Sequence, residues 1–282
     1  MTRKRQSDWP RAPRRCHPEG QPGFKFEEQR QAARTDRQRA RRVRQYSGAE
    51  RPLRRLASSL ARKGRHPRSF ASRRYARGRR IVLNGHLLWL ARRTKRRLRL
   101  VTLMPQGWLI PAGELVDQNP RSLMEQLRSV FQRAKIGQDG GWAYFVLDVE
   151  YIEHLDAFAF HAHGIATKRV ALRVRELRNR RKFKWPAGSD GIPNRPVQVK
   201  LVTRGDEARV INYLLKSYFG MRVYVLDEDG NLVRTRQRTA IPEPRQTDLI
   251  AWLSRWRIED FVLPLNLYFG RDCLMVSRRR RR

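Results

Sequence analysis

Acidic residues are scarce in this chain. Its 282 residues hold 26 Asp and Glu against 63 Lys and Arg, a formal net charge of +37. Solubility needs no such excess, so the balance points to an anionic partner of high charge density, nucleic acid above all. Cysteine is nearly absent too. Cys16 and Cys273 stand near opposite ends, which excludes a disulfide framework or a zinc-ligand spacing and fits a reducing cytoplasm. Long apolar runs are missing: the longest, "IVLNGHLLWLA" at 81–91, is interrupted by Asn84 and His86 and is too short to span a bilayer. No signal-peptide pattern is visible. An Arg-rich, acid-poor N-terminus also fits a transit peptide, but here the charge continues along the whole chain, through "ARRTKRRLRL" (91–100) to "SRRRRR" at the end.

Residues 1–80 carry 26 Lys and Arg against 6 Asp and Glu. They lack sustained apolar periodicity and read as a basic, mostly disordered arm, with one helical segment around 26–45. Such an arm is either a solvated tail or a phosphate-binding element. The charge density favours the second.

From about residue 96 the patterns are regular. "RLRLVTLM" (97–104), "WAYFVLDVEYI" (142–152), "FAFHAHGIA" (158–166) and "VQVKLVT" (197–203) alternate or are rich in β-branched and aromatic residues, and read as strands. Residues 119–137 read as a helix with Asn119 as N-cap, Pro120 in the first turn and Gly137 as the stop. Residues 168–183 form a basic amphipathic helix, and 206–220 a further one with Asp206 as cap and Gly220 as stop. The order β-α-β-β-α-β specifies an α+β fold, an RRM-like or ferredoxin-like antiparallel sheet with helices on one face. The predicted division is a basic arm (1–80), a sheet domain (81–220) and a C-terminal extension (221–282) with a hairpin near 227–231 and a helix at 247–256.

Two histidines lie in the third strand. Residues two apart share a face, so His161 and His163 point together, with Phe160 and Ala162 turned toward the core. Asp148 and Glu150 share a face of the preceding strand. A turn at about 154–157 places Glu150 opposite His161 and Asp148 opposite His163, with directly opposed Cβ atoms about 5 Å apart. Two imidazoles and one or two carboxylates suit a divalent ion with open positions, Mg²⁺ or Mn²⁺, imidazole favouring Mn²⁺. The plainer alternative is a strand with polar residues on its wet face.

In the helix at 206–219, Val210, Ile211, Leu214, Leu215, Tyr218 and Phe219 fall on one half of the wheel. Tyr218 belongs to the core. Tyr213 lies on the polar half with Asn212, and Lys216 stands one turn away. A tyrosine beside an ammonium can be a nucleophile, or simply a surface pair. The basic helix offers Arg169, Arg173, Arg175, Arg178, Arg180, Arg181 and Lys182 to phosphates. Binding through such residues weakens steeply as salt rises. Trp108, Trp142 and Trp185 are candidate base-stacking groups, Trp142 the one that best fits a core.

"RLVTLM" (99–104), "FHAHGIA" (160–166) and "YLLKSYF" (213–219), in that order, resemble the motifs of rolling-circle replication initiators of the HUH endonuclease superfamily. The resemblance covers about 97–220. It implies that His161 and His163 bind the metal with an acid from the adjacent strand, a place that Asp148 fits best. It implies that Tyr213, the tyrosine of Tyr-x-x-Lys, attacks a phosphodiester of single-stranded origin DNA, forms a 5′-phosphotyrosine and frees a 3′-OH primer. Plasmid or phage replication is the implied setting, with host replication proteins as further partners. Met104 stands where the family often has Thr, Ala162 is smaller than usual, and one tyrosine is well placed. Rival readings are a non-enzymatic RRM-like binding protein, a related transposase or relaxase, and a basic virion or nucleoid protein.

Overall fold

The computed structural model describes residues 18–19, 22–46, 50–94, 97–184, 195–216, 219–226, 228, 230, 232–270 and 273–277. Cys16, Trp185 and Tyr218 lie outside the described residues.

The α+β reading holds. Strands β1 (Leu98–Leu103), β3 (Ala143–Ile152), β4 (Ala157–Thr167) and β5 (Val197–Leu201) pair in the order β5-β1-β4-β3, every neighbour antiparallel. That is the strand order of a split β-α-β arrangement, with helices α4 (Pro120–Arg133) and α5 (Lys168–Glu176) as its crossovers. Right-handed crossovers put both helices on one face, and there Phe131 of α4 meets Phe145 of β3 at 5.1 Å. Short β2 (Leu109–Pro111) continues the line of β1 along the far end of β4. The interruption falls at Pro105 and at Gly107, whose φ is +83°, a left-handed conformation that glycine adopts at no steric cost.

α4 starts as the sequence predicts. The Asn119 side chain accepts hydrogen bonds from the backbone N–H of Arg121 (3.0 Å) and Ser122 (3.4 Å). It ends at Arg133, short of Gly137, because Lys135 already turns left-handed at φ 54°. Gly164 of β4 lies directly opposite Phe145. A Cβ there would come within 2.7 Å of the Phe145 ring. Gly164→Ala is therefore expected to cost about 1–3 kcal/mol through overpacking, read as a lower urea midpoint.

The helical segment expected around 26–45 is present as α1 (Gln29–Tyr46), but residues 51–93 correct the disordered-arm reading: they form α2 (Arg51–Ala61) and α3 (Arg73–Arg93), and the expected boundary at 80/81 falls inside α3. The buried stripe of α1 is Ala32, Asp36, Ala40 and Val43, at helical spacing but too small and too polar to register as apolar periodicity. Asp36 joins the helices. It is fully buried and accepts from Ser72 Oγ (2.9 Å), Arg73 N (2.6 Å) and Arg74 Nε (2.8 Å). Arg74 in turn donates to the carbonyls of Leu60, Arg62 and Lys63 at the end of α2.

The C-terminal residues are also integral to the fold. β6 (Met221–Leu226) and β7 (Leu232–Thr239) form the predicted hairpin, and α7 (Arg245–Ser254) the predicted helix. β8 (Val262–Leu265), which the sequence reading did not assign, pairs with β3. The two remaining strands, β9 (Leu267–Phe269) and β10 (Leu274–Val276), form a small separate sheet. Phe70 touches Phe219 at 5.4 Å and Phe261 at 4.9 Å, and Trp252 of α7 lies 5.6 Å from Phe160 of β4. One hydrophobic core thus takes side chains from all three predicted segments.

Candidate metal centre and its tyrosine

The hairpin β3–β4 places the first ligands. Asp148 stands opposite His161, Val146 opposite His163 and Glu150 opposite Ala159. The expected pairs were Glu150 with His161 and Asp148 with His163. The real turn has the same length but falls one residue earlier: Ile152 pairs with Ala157, and the chain between them runs through a 3₁₀ turn at Glu153–Leu155 and Asp156 at φ 41°. Arg245 and the Tyr151 hydroxyl (2.7 Å) hold the Asp156 carboxylate there. The register moves by two residues, so the faces stay as predicted and the partners change.

Asp148, His161 and His163 come together, all buried, with one ligand atom from each lying within 4.8 Å of the others. Asp148 Oδ2 is 2.9 Å from His161 Nε2 and 3.5 Å from His163 Nε2. These contacts are short but poorly aligned: neither Asp148 oxygen nor His163 Nε2 has a hydrogen bond of good geometry. Buried polar atoms are normally satisfied. Two carboxylate oxygens and one imidazole nitrogen left without such a hydrogen bond, beside the second imidazole of His161, make a donor set that fits a divalent ion. Glu150 is not in this group. It is buried one step along β3 and lines the same cleft, over the small Ala159.

Protonation favours ligation. Burial, and then the charge of His161, push the His163 pKa down to about 4, so this imidazole is neutral at physiological pH. Its Nδ1 lies 2.9 Å from Thr102 Oγ1. With Nδ1–H donating to that hydroxyl, the lone pair sits on Nε2, the ring orientation that an outer-shell partner gives a metal-bound histidine. The sequence reading missed Thr102, although it lies opposite His163 in the first motif. Burial alone would raise the Asp148 carboxyl. The Lys216 ammonium and His161 outweigh it and hold Asp148 well below the usual carboxylate range.

Helix α6 (Glu207–Leu214) covers this face of the sheet and carries Tyr213. Val210, Ile211, Leu214 and Leu215 are buried, as the wheel requires, and Tyr213 is 40% exposed. The Tyr213 ring lies 5.3 Å from that of His163. The helix stops at Leu214, not at Gly220 as expected, so Lys216 is not its helical neighbour. Lys216 instead turns back into the site, where its ammonium pairs with Asp148 Oδ2 and lies 5.8 Å from the centre of the Tyr213 ring. Asn212 accepts from Arg80 of α3 at 3.3 Å, which fixes α6 from behind.

His161, His163 and Tyr213 line a cleft of about 610 Å³. The cations on its wall are Arg195, Lys200 and Arg209, none of them singled out from the sequence. Lys200 and Gln198 share one side of the β5 alternation, so strand parity carried the signal. The predicted phosphate-binding set lies elsewhere. α5 turns Val170, Ala171 and Val174 to the core, and Arg169, Arg173, Arg175 and Arg178 are exposed on the helix side of the sheet. None of these four, nor Arg180, Arg181 or Lys182, lines the cleft. Arg173 is paired with Asp139 and Glu176. Trp108 and Trp142 are buried and offer no face for a base.

No family model matches the chain, and neither a curated protein nor a solved structure is similar to it.

Proposed function

We propose that this chain is a nicking and joining endonuclease of the HUH type that opens single-stranded origin DNA to start rolling-circle replication. The observation that carries the reading is Tyr213, held over His163 at the rim of a buried Asp148–His161–His163 cluster. Two imidazoles and one carboxylate would hold Mn²⁺ or Mg²⁺, which when bound polarises a phosphate oxygen as a Lewis acid.

The chain's own residues supply the rest. Arg195, Lys200 and Arg209 line the wall along which a strand's phosphates would run. Tyr213 gives up its hydroxyl proton and its oxygen attacks the phosphorus. The bond from phosphorus to the 3′ oxygen breaks, and that oxygen takes up a proton to become a free 3′-OH. The 5′ phosphate stays on Tyr213, and the reverse step rejoins the strand. Lys216 stands beside the ring as a fixed positive charge for the phosphate under attack. Thr102 keeps the His163 ring in orientation. Origin DNA is thus the proposed partner, with host replication proteins needed to extend the 3′ end.

The test is covalent capture. Single-stranded oligonucleotides from the origin region, incubated with the protein and Mn²⁺, are expected to give an adduct stable on a denaturing gel. Tyr213→Phe should abolish it while leaving oligonucleotide affinity within about threefold, a loss of under 1 kcal/mol. Salt-sensitive binding with no adduct on any strand would replace the enzyme by a single-strand-binding protein that uses the same cleft.

A further inference from the structure

We propose that α1 carries a second nucleic-acid contact, a row of arginines that docks on the phosphates of double-stranded DNA. Arg30, Arg34, Arg37, Arg41 and Arg44 are all exposed. Their spacing alternates between four and three residues, so at about 100° per residue they fall within about 80° of one another on the helix wheel. At about 1.5 Å of rise per residue the row runs straight for about 21 Å. It is turned away from the buried stripe of Ala32, Asp36, Ala40 and Val43.

The charges of this row are uncompensated. The one acid within α1 is Asp36, buried under the helix and taken up by Arg74. None of the five arginines has an ion-pair or hydrogen-bond partner among the described residues. The half-buried arginines of the same helix are held: Arg39 donates to the Ala71 carbonyl (2.5 Å) and Arg42 to the Gln246 side chain. Beside the row stand Gln31, Gln38 and Gln45, exposed amides that bring no opposite charge. Guanidinium groups rooted about 4.5–6 Å apart along one axis repel one another. A polyanion laid along them relieves that repulsion and releases its counterions.

The rest of the wet face selects the partner. No aromatic or large apolar side chain stands in the row or beside it, and Tyr46, the one aromatic residue of α1, falls about 160° around the wheel. A helix lying in a membrane surface needs an apolar face. A protein interface is anchored by buried aromatic groups. Single-strand binders add aromatic rings on which bases stack. A duplex keeps its bases stacked inside and presents phosphates, one charge per about 1.7 Å of axis, so about 12 stand along the length of the row. It is also stiff over that length, so a rigid helix and a rigid duplex meet without either being ordered first. The choice of DNA over RNA rests on the reading of the cleft as a DNA site. The duplex rests on the helix alone.

Fluorescence anisotropy on the full chain, without added metal, compares a short DNA duplex, the same duplex in RNA and an oligothymidine of equal length. Arg34→Gln with Arg37→Gln and Arg41→Gln removes three charges and keeps helix propensity, so Tm should not move. The slope of log K against log salt for the DNA duplex should shrink by about 2.7, and affinity near physiological salt should fall roughly tenfold or more. Oligothymidine affinity should change by no more than about threefold. Arg169→Gln with Arg175→Gln and Arg178→Gln takes the same charge from α5 and should change duplex affinity by no more than about threefold, because distant exposed charges are screened. No duplex binding by the unaltered chain, equal losses in the two triple variants, an equal loss for oligothymidine, or tighter binding of the RNA duplex would overturn the proposal. The arginines of α1 do not line the tyrosine cleft, so the adduct on single-stranded DNA should persist in the α1 variant, and failure of either experiment leaves the other readable.

Discussion

Asp148→Ala is expected to lower Mn²⁺ affinity by a hundredfold or more and to eliminate the adduct on single-stranded DNA. Outer-shell partners alone are typically worth about 10–100-fold in metal affinity, and Asp148 is the one carboxylate in the cluster. Its loss also leaves Lys216 and two imidazoles facing one another without an anion. Lys216→Met should act in the opposite sense on the ion. The ammonium is paired with Asp148 Oδ2, so a divalent ion arriving there meets a resident cation. Without that competitor Mn²⁺ should bind about tenfold tighter, a gain of about 1.4 kcal/mol, while the adduct yield falls because the phosphate loses its positive neighbour. Manganese titration followed by electron paramagnetic resonance reads both effects without any turnover. Equal Mn²⁺ affinity in Asp148→Ala and the unaltered protein would mean that the cluster is a polar core and not a metal centre.

The parts of this site that the sequence shows are those governed by a strand's period of two. That His161, His163, Asp148 and Glu150 share a face follows from alternation alone. Which acid meets which imidazole depends on the turn, and a 3₁₀ turn closed by Asp156, Arg245 and Tyr151 draws its stability from a helix nearly a hundred residues away. The wheel for α6 separates Tyr213 from the buried residues correctly. It cannot show that the helix ends at Leu214, and so it brings Lys216 to Tyr213 for the wrong reason. A wheel also says which face of α5 is wet, but not that the helix lies across the sheet from the histidines, which depends on the crossover. The helices at 51–61 and 73–93, and the packing of α1 against them, were hidden for a different reason: the contacts run through alanines, a buried carboxylate and an arginine that this carboxylate satisfies. Composition alone makes such a segment look solvated.

Those hidden helices lead to the largest expected effect on stability. Arg74→Met should destabilise the fold by about 3–5 kcal/mol, the range for breaking one side of a buried ion pair. Arg74 is buried, and losing its guanidinium leaves the buried Asp36 carboxylate with three weaker donors, Ser72 Oγ and the backbone N–H groups of residues 73 and 74. The carbonyls of Leu60, Arg62 and Lys63 lose their donor at the same time. For a chain of this size each kcal/mol corresponds to about 2–4 °C in Tm, so a fall on the order of 10 °C is expected by thermal scanning. Asp36→Leu combined with Arg74→Met should recover part of the loss, because it removes both charges together. The effect reaches the site, since α3, which begins at this network, holds α6 through Arg80 and Asn212 and α6 carries Tyr213. Adduct formation by Arg74→Met should therefore fail at a lower temperature than in the unaltered protein, in step with its Tm. A change in stability below about 1 kcal/mol would show that α1 and α2 do not depend on this buried pair to pack against the sheet.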